Sequence, residues 1–182
     1  MSEIYQPAED SYLLQKCLTS FLKGKSKPIS ILDMGSGSGI QARTCKKLKF
    51  KNILCVDINP DAVKSLKEEG FKSILSDLFE KIDKKFDLII FNPPYLPRDK
   101  REPEDSQINT TAGDKGYEII IKFLKQAKNH LNSGGRILLL FSSLSKPKVI
   151  KQEAKKIGYN FNEWDYTPLF FEKIFVYEFF FP

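Results

Sequence analysis

The sequence is poor in the side chains that build metal and disulfide sites. Its 182 residues contain one histidine, three cysteines and one tryptophan. Cys17, Cys45 and Cys55 are odd in number, sit inside apolar patterns and lack the paired spacing of a disulfide framework or a Cys–His zinc set. They read as reduced core thiols of a cytoplasmic protein, and no metal is expected. Long hydrophobic runs are missing too. Nothing approaches the roughly 18 apolar residues of a membrane span, and Met1-Ser2-Glu3 does not open a basic-then-apolar leader, so neither a membrane nor export is expected. Arginine is scarce: only Arg43, Arg98, Arg101 and Arg136 accompany the lysines in an excess of 29 basic over 23 acidic residues, a formal +6. Lysine supplies solvated charge more readily than the bidentate fork that reads bases. The balance therefore suits an anionic partner such as nucleic acid, or simply a solvated basic surface.

What is present describes a globule. With 41% hydrophobic and 29% charged residues, the chain is too apolar for disorder and too interrupted by charge for a membrane protein, and its length suits one domain over residues 1–182. Leu13, Leu14, Cys17, Leu18, Phe21 and Leu22 recur at helical spacing. Ile29–Met34 then reads as a buried strand that stops at a glycine cluster, followed by a helix from Ile40 to about Lys47. Asn52–Asp57 is a second strand, and Asn59-Pro60 pairs a capping residue with the residue favoured at the first helical position. Ser73–Leu75 and Phe86–Phe91 read as further strands. Pro97–Ala112 has no periodicity and dense charge, the pattern of a long mobile loop, and Pro97–Gly116 is expected to frame the entrance to a site. Ile120, Phe123, Leu124, Ala127 and Leu131 predict a helix that stops at Asn132-Ser133-Gly134-Gly135. Ile137–Phe141 is a strand, Pro147–Ile157 a helix, and the aromatic tail carrying Phe161, Phe170, Phe171 and Ile174–Phe180 two more strands, its phenylalanines read as core. The single His130 reads as a surface residue.

Strands alternating with helices predict a three-layer α/β/α fold on a mainly parallel sheet, with ligands beyond the carboxyl ends of the strands where strand order reverses. The residues found there carry chemistry. Gly35, Gly37 and Gly39 in Asp33-Met34-Gly35-Ser36-Gly37-Ser38-Gly39 let a ligand approach the main chain at a helix N-terminus, although an ordinary glycine turn reads the same way. The dinucleotide fingerprint would require glycine where Ile40 stands, which argues against a nicotinamide cofactor. Asp57 stands where an acidic residue accepts from ribose hydroxyls, or caps the next helix. Ser76-Asp77-Leu78 follows the third strand. Asn92-Pro93-Pro94-Tyr95 follows the fourth, and its two prolines make a rigid turn with carbonyls facing outward.

The glycine cluster, Asp57, Asp77 and Asn-Pro-Pro-Tyr, in this order, resemble the class I S-adenosylmethionine-dependent methyltransferases that modify amino groups. Tyr5-Gln6-Pro7-Ala8-Glu9-Asp10-Ser11, Asp57-Ile58-Asn59-Pro60 and Ala112-Gly113-Asp114-Lys115-Gly116 are similar, more narrowly, to the HemK-related branch of archaea and eukaryotes. That resemblance covers essentially the whole chain and departs from the common pattern at Ala112 and in the tail. It implies a Rossmann-like fold with a seven-stranded sheet and an antiparallel C-terminal strand, and methylation of the glutamine in the Gly-Gly-Gln motif of a class I release factor. It also implies a small zinc-binding activator protein, for which the short strand near Ile74 and Leu75 offers an edge.

S-adenosyl-L-methionine would be held by Ser11, Asp33, Gly35, Gly37, Gly39, Asp57, Ile58, Asp77, Leu78 and Asn92. Glu9, Asp10 and Ser11 either close over its methionine end or cap the first helix. The Asn92 side-chain oxygen and the Pro93 carbonyl would each accept one N–H of the target amide, while Tyr95 packs on its plane. The bacterial HemK type carries a helical domain before its glycine motif, and DNA adenine methyltransferases a recognition domain; neither is expected here. Two other readings stand beside this one: methylation of an exocyclic amino group of adenine or guanine in nucleic acid, and a non-catalytic subunit that only binds a partner.

Overall fold

The computed structural model describes residues 4–95 and 115–182. The expected loop at Pro97–Ala112 lies outside the described residues. Seven strands form one sheet in the order β3-β2-β1-β4-β5-β7-β6. They are β1 (Ile31–Met34), β2 (Ile53–Asp57), β3 (Lys72–Leu75), β4 (Phe86–Phe91), β5 (Leu131–Ser142), β6 (Asn160–Pro168) and β7 (Lys173–Phe180). β1 pairs in parallel with β2 and β4, β2 with β3, and β4 with β5; β7 enters antiparallel between β5 and β6. The mainly parallel sheet with an antiparallel C-terminal strand is thus borne out, and strand order reverses between β1 and β4.

Alternation along the buried strands makes the three layers. Ile31, Leu88, Ile90, Leu138 and Leu140 face one core with α1 (Glu9–Leu22), α2 (Ile40–Lys47) and α3 (Pro60–Glu68), where all three cysteines are buried as free thiols. Leu32, Met34, Ile89, Phe91, Ile137 and Leu139 face the other with α4 (Glu118–Ala127) and α5 (Pro147–Ile157). Local chemistry sets the helix ends. The Asn59 side chain accepts from the Asp61 N–H with Pro60 at the first turn of α3, and Gly158, at φ 108°, closes α5 by donating to the Ala154 carbonyl 3.2 Å away.

Two expectations need correction. The α4 helix ends at Ala127, and after the 3₁₀ turn Lys128–His130 the next residue, Leu131, opens β5 opposite Phe86. Leu131 fell on the helical repeat by coincidence; its burial comes from the sheet. Asn132-Ser133-Gly134-Gly135 therefore lies within β5, at a register shift against β4 between Phe86 and Leu88. Gly134 is at φ 74°, and a Cβ on Gly135 would stand 3.0 Å from the Phe86 carbonyl, so glycine serves a bulge and not a helix stop. The second correction is in the tail. Phe179 is fully buried, whereas Phe170 and Phe171 occupy the β6–β7 turn and are 91% and 84% exposed. His130 stacks on Phe79 with ring centroids 4.5 Å apart and lies 2.9 Å from the Lys84 carbonyl through Nδ1, away from the cavity described below.

Among the described residues no helix is long and apolar enough to cross a membrane. The layer under α4 centres on Phe123, fully buried and 4.5 Å from Phe91 between ring centroids. Phe123→Ala should cost about 3–5 kcal/mol of unfolding free energy by leaving a cavity that rigid neighbours cannot fill, with the slope of a urea melt unchanged.

Candidate active site

The carboxyl ends of β1, β2, β3 and β4 open into one cavity of about 780 Å³. It is bounded on its outer side by the segment entering α1 and by the first turn of α4. Ser11, Asp33, Gly35, Gly37, Asp57, Ile58, Asp77, Leu78, Asn92, Pro93 and Tyr95 all line it. Gly39 does not. Its φ of 83° opens α2, and a Cβ there would lie 2.4 Å from Leu66 Cδ2, so its lack of a side chain serves the packing of α3.

The glycine turn is a built cradle. Gly35 and Gly37 have φ of 59° and 48°, and a Cβ on Gly35 would press within 3.1 Å of the Phe91 ring. Ser36 N–H and Oγ reach the Val56 carbonyl at 3.1 and 3.3 Å, which ties the turn to β2. Asp57 holds it from the other side: one carboxylate oxygen accepts from Gly37 N–H at 2.7 Å and the other from Asn59 N–H at 2.8 Å. A carboxylate has about four acceptor positions, so Asp57 keeps capacity toward the cavity. The cap of the next helix is Asn59, which Asp57 holds through its N–H. Burial pushes its carboxyl above the usual carboxylate range, against the backbone N–H groups of Asn59, Gly37 and Ile58.

On the far wall Asp77 accepts from Lys122 Nζ of α4 at 2.7 Å, and the next residue, Leu78, takes a φ of 48° that a branched side chain adopts only under constraint. Ile58 is 59% exposed although apolar, and the cavity is what it faces.

Asn92 is the centre of the near wall. Its Nδ2 donates to Asp10 Oδ2 at 3.0 Å, and its Oδ1 is buried with no hydrogen-bond partner among the described residues. Because a carboxylate only accepts, Asp10 dictates the amide orientation and turns the oxygen away from itself. Asp10 is 3% exposed; the Tyr5 hydroxyl donates to its two oxygens at 3.1 and 3.0 Å, and Ser11 N–H to Oδ1 at 2.5 Å. Burial and the Asp10 charge raise both the Tyr5 and Tyr95 hydroxyls, so each stays a donor. The helix-cap reading of Glu9–Ser11 does not hold: the cap position of α1 is Ala8, with no side-chain cap, Glu9 is exposed, and Asp10 and Ser11 line the cavity. Gln41 repeats the pattern, its Nε2 donating to the Ser11 carbonyl at 2.9 Å while its buried Oε1 has no partner among the described residues. Tyr5 and Gln41 were not singled out as binding or catalytic residues from the sequence, and Asp10 only as a residue that closes over the cofactor or caps α1, not as the partner of Asn92; the signal for Tyr5 and Asp10 was the Tyr5–Ser11 motif itself.

A strand order that reverses beside a glycine cradle, with an acidic residue after β2 and Asn-Pro-Pro-Tyr after β4, defines the methyltransferase version of the Rossmann-like fold. The chain belongs to the methyltransferase small domain family, whose model matches residues 10–163. A protein of Methanocaldococcus jannaschii named "Putative protein N5-glutamine methyltransferase" is 41% identical over 165 residues, which cover 86% of this chain and 81% of that one. Methyltransferase HEMK2 of Homo sapiens is 27% identical over 171 residues, 86% of this chain and 80% of its own. Among solved structures, the E. cuniculi Mtq2–Trm112 complex, described as responsible for methylation of the termination factor eRF1, superposes with a TM-score of 0.77 over 98% of both chains at 24% identity. These relatives bear out the HemK-related resemblance.

Asp33 gives the site a pH signature. It is fully enclosed beneath the glycine turn and accepts from Ala42 N–H at 3.1 Å. Burial chiefly, with the charge of Asp57, pushes its carboxyl from 3.8 up to about 7. A carboxyl raised on folding contributes stability that is complete below 3.8 and is lost as pH rises through about 7. Asp33→Asn, which keeps an acceptor for Ala42, should therefore melt close to wild type below pH 3.8 and increasingly above it as pH rises from there to about 7, with the gap constant at higher pH. A gap independent of pH would assign another cause to the difference.

Proposed function

We propose that this chain, acting as one domain over residues 1–182, transfers the methyl group of S-adenosyl-L-methionine to the side-chain amide nitrogen of a glutamine. The acceptor in this reading is the glutamine of the Gly-Gly-Gln motif of a class I translation release factor, which places its work in the cytoplasm. The observation that carries it is the buried, unpartnered Oδ1 of Asn92 on the cavity wall. An acceptor held in that state is costly unless a ligand N–H meets it. The names of the relatives support the choice of substrate.

The residues present fit the cofactor. Gly35 and Gly37 leave the main chain open, Asp57 keeps acceptor capacity for ribose hydroxyls, and Gln41 Oε1 is a second buried acceptor without a partner, suited to an ammonium group. Ile58 and Leu78 offer apolar surface to a base beside Asp77. When bound, S-adenosyl-L-methionine supplies an electrophilic methyl group that needs no acid catalyst. The protein's task is to align and tune a poor nucleophile, since an amide lone pair is delocalised. Asn92 Oδ1 and the Pro93 carbonyl each accept one N–H of the acceptor amide. Both bonds strengthen as the nitrogen gains positive charge, so they favour the transition state over the bound ground state. Asp10 is the positioning residue that keeps the Asn92 oxygen in place, and Tyr95 closes the site against the planar group.

Asn92→Ala should lower turnover roughly a hundredfold or more while cofactor affinity, by calorimetry, stays within a few-fold. Asp10→Ala should reduce turnover through the same oxygen, because the amide is then free to rotate. Labelled methyl should pass to purified release factor and vanish when its motif glutamine is replaced. Transfer to RNA or DNA instead would establish the exocyclic amino group of a base as the acceptor, and no transfer with intact cofactor binding would leave a binding subunit.

A small zinc-binding partner protein is part of the proposal. E. cuniculi Mtq2 is solved with Trm112, and in this chain β3 forms one edge of the sheet, with Ile74 half-buried and Leu75 41% exposed beside a groove lined by Leu54, Phe71 and Ile82. Ile74→Lys should abolish the gain in solubility or activity that co-expression brings; a protein fully active alone and indifferent to this change would contradict it.

A further inference from the structure

The turn between β6 and β7 is built from residues that its geometry does not ask for. Leu169 N–H donates to the Glu172 carbonyl at 2.7 Å, which leaves Phe170 and Phe171 as the two loop residues of the hairpin. Such loops favour Asn, Asp and Gly because those residues accept positive φ or bond their own backbone. Neither phenylalanine has a positive φ, and neither is buried: they are 91% and 84% exposed and meet each other edge to face, ring centroids 4.5 Å apart at 87°. Single exposed apolar residues are ordinary, but two adjacent aromatic rings at a tip are a patch.

The tip stands at the active-site rim. β7 runs antiparallel to β5 with Ile174 opposite Ser142, so the turn falls at the carboxyl end of the sheet, where the cavity opens. It is clamped there. The Glu172 carboxylate accepts from the Ser142 hydroxyl, Lys173 N–H donates to Ser143 Oγ at 3.0 Å, and Ser145 Oγ donates to the Tyr95 carbonyl at 2.7 Å. Leu169 and Tyr95 pack on the same core cluster. The Glu172 charge is felt by the hydroxyls of Tyr5 and Tyr95 across the rim. Leu144, in the turn that carries Ser143 and Ser145, is a further exposed apolar residue, 42% exposed.

We infer that the Phe170–Phe171 tip is an apolar anchor for the protein substrate, seating in a hydrophobic depression of the release factor while its glutamine enters the cavity. This rests on the function proposed above. A glutamine side chain offers little contact area of its own, so recognition of a folded protein must come from the rim, and buried aromatic anchors are the usual carriers of such binding energy. A base-stacking platform is disfavoured: the rings cover each other edge to face, Glu172 is next in sequence, and Lys173, which follows it, lies over the Tyr166 ring at 4.8 Å.

The test is the double variant Phe170→Ser/Phe171→Ser, whose melting temperature should match wild type because both rings are outside the core. With purified release factor, KM should rise roughly tenfold or more while kcat and the affinity for S-adenosylhomocysteine stay within about twofold. An unchanged KM overturns the anchor and leaves the function intact. An unchanged KM together with lost binding to phosphatidylserine–phosphatidylcholine vesicles, or to single-stranded RNA, also overturns it and assigns the tip to that surface. A wild-type protein that transfers no methyl to the factor overturns the functional reading and this occupant with it, an outcome distinct from either of the others.

Discussion

The hydrogen bond from Asn92 Nδ2 to Asp10 is the contact on which the geometry of the site turns. It joins the first helix, distant in sequence, to the end of β4, and it settles which atom of the amide faces the cavity. An asparagine alone has two nearly isosteric ends, and only a partner that can accept but not donate removes the choice. Asp10 is such a partner, and its remaining valences are filled by Tyr5 and Ser11. The carboxylate is buried, so an incomplete set of donors would be expensive; with the set complete, the whole cluster becomes rigid. Burial in turn depends on Leu13, Leu14 and Leu18, which seat α1 against the sheet. Core packing and the orientation of one amide are thus a single problem for this fold.

A second constraint comes from topology. Reversal of strand order between β1 and β4 leaves a crevice that no crossover helix among the described residues covers, and four strand ends deliver Gly35, Asp57, Ser76 and Asn92 to it. The polar groups gathered there are partly desolvated before any ligand arrives. Asp33 and Asp57 are both raised by burial, and the N–H groups of Ala42, Gly37 and Asn59 only partly offset the cost. The fold tolerates this strain, with Leu78 held in a left-handed conformation nearby, because two well-packed layers on either side contribute far more than the crevice removes.

How far these features were legible in the sequence follows from how local their causes are. The β1–glycine–α2 unit, Asn59-Pro60 and the Asn-Pro-Pro-Tyr turn were readable because each is specified by backbone chemistry within a few residues. The α4–β5 junction was not. Leu131 satisfies a helical repeat and a strand equally well, and only pairing with Phe86, far away in sequence, decides between them. Gly134-Gly135 was misread for the same reason: glycine marks a backbone exception, but whether that exception ends a helix or makes a bulge is settled by the neighbouring strand. Gly39 stands in the cradle motif yet answers to Leu66. Asp10 was visible inside a motif, while its role required knowing that the N-terminus of α1 meets the end of β4.

The tail shows the same division and what it does for the molecule. Hydrophobicity alone put Phe170 and Phe171 in the core with Phe179, since composition cannot separate a strand from the turn that joins two strands. The antiparallel entry of β7 between β5 and β6 makes the difference. A parallel last strand would have sent its leading turn to the far edge of the sheet. Running backwards, β7 carries the preceding turn to the same edge as the four functional strand ends, and Ser142, Ser143 and Glu172 fasten it there. The one strand that breaks the parallel order is therefore the one that lets the C-terminal segment share a rim with residues drawn from the first half of the chain, so that the pocket and the surface around it are built by opposite ends of the sequence.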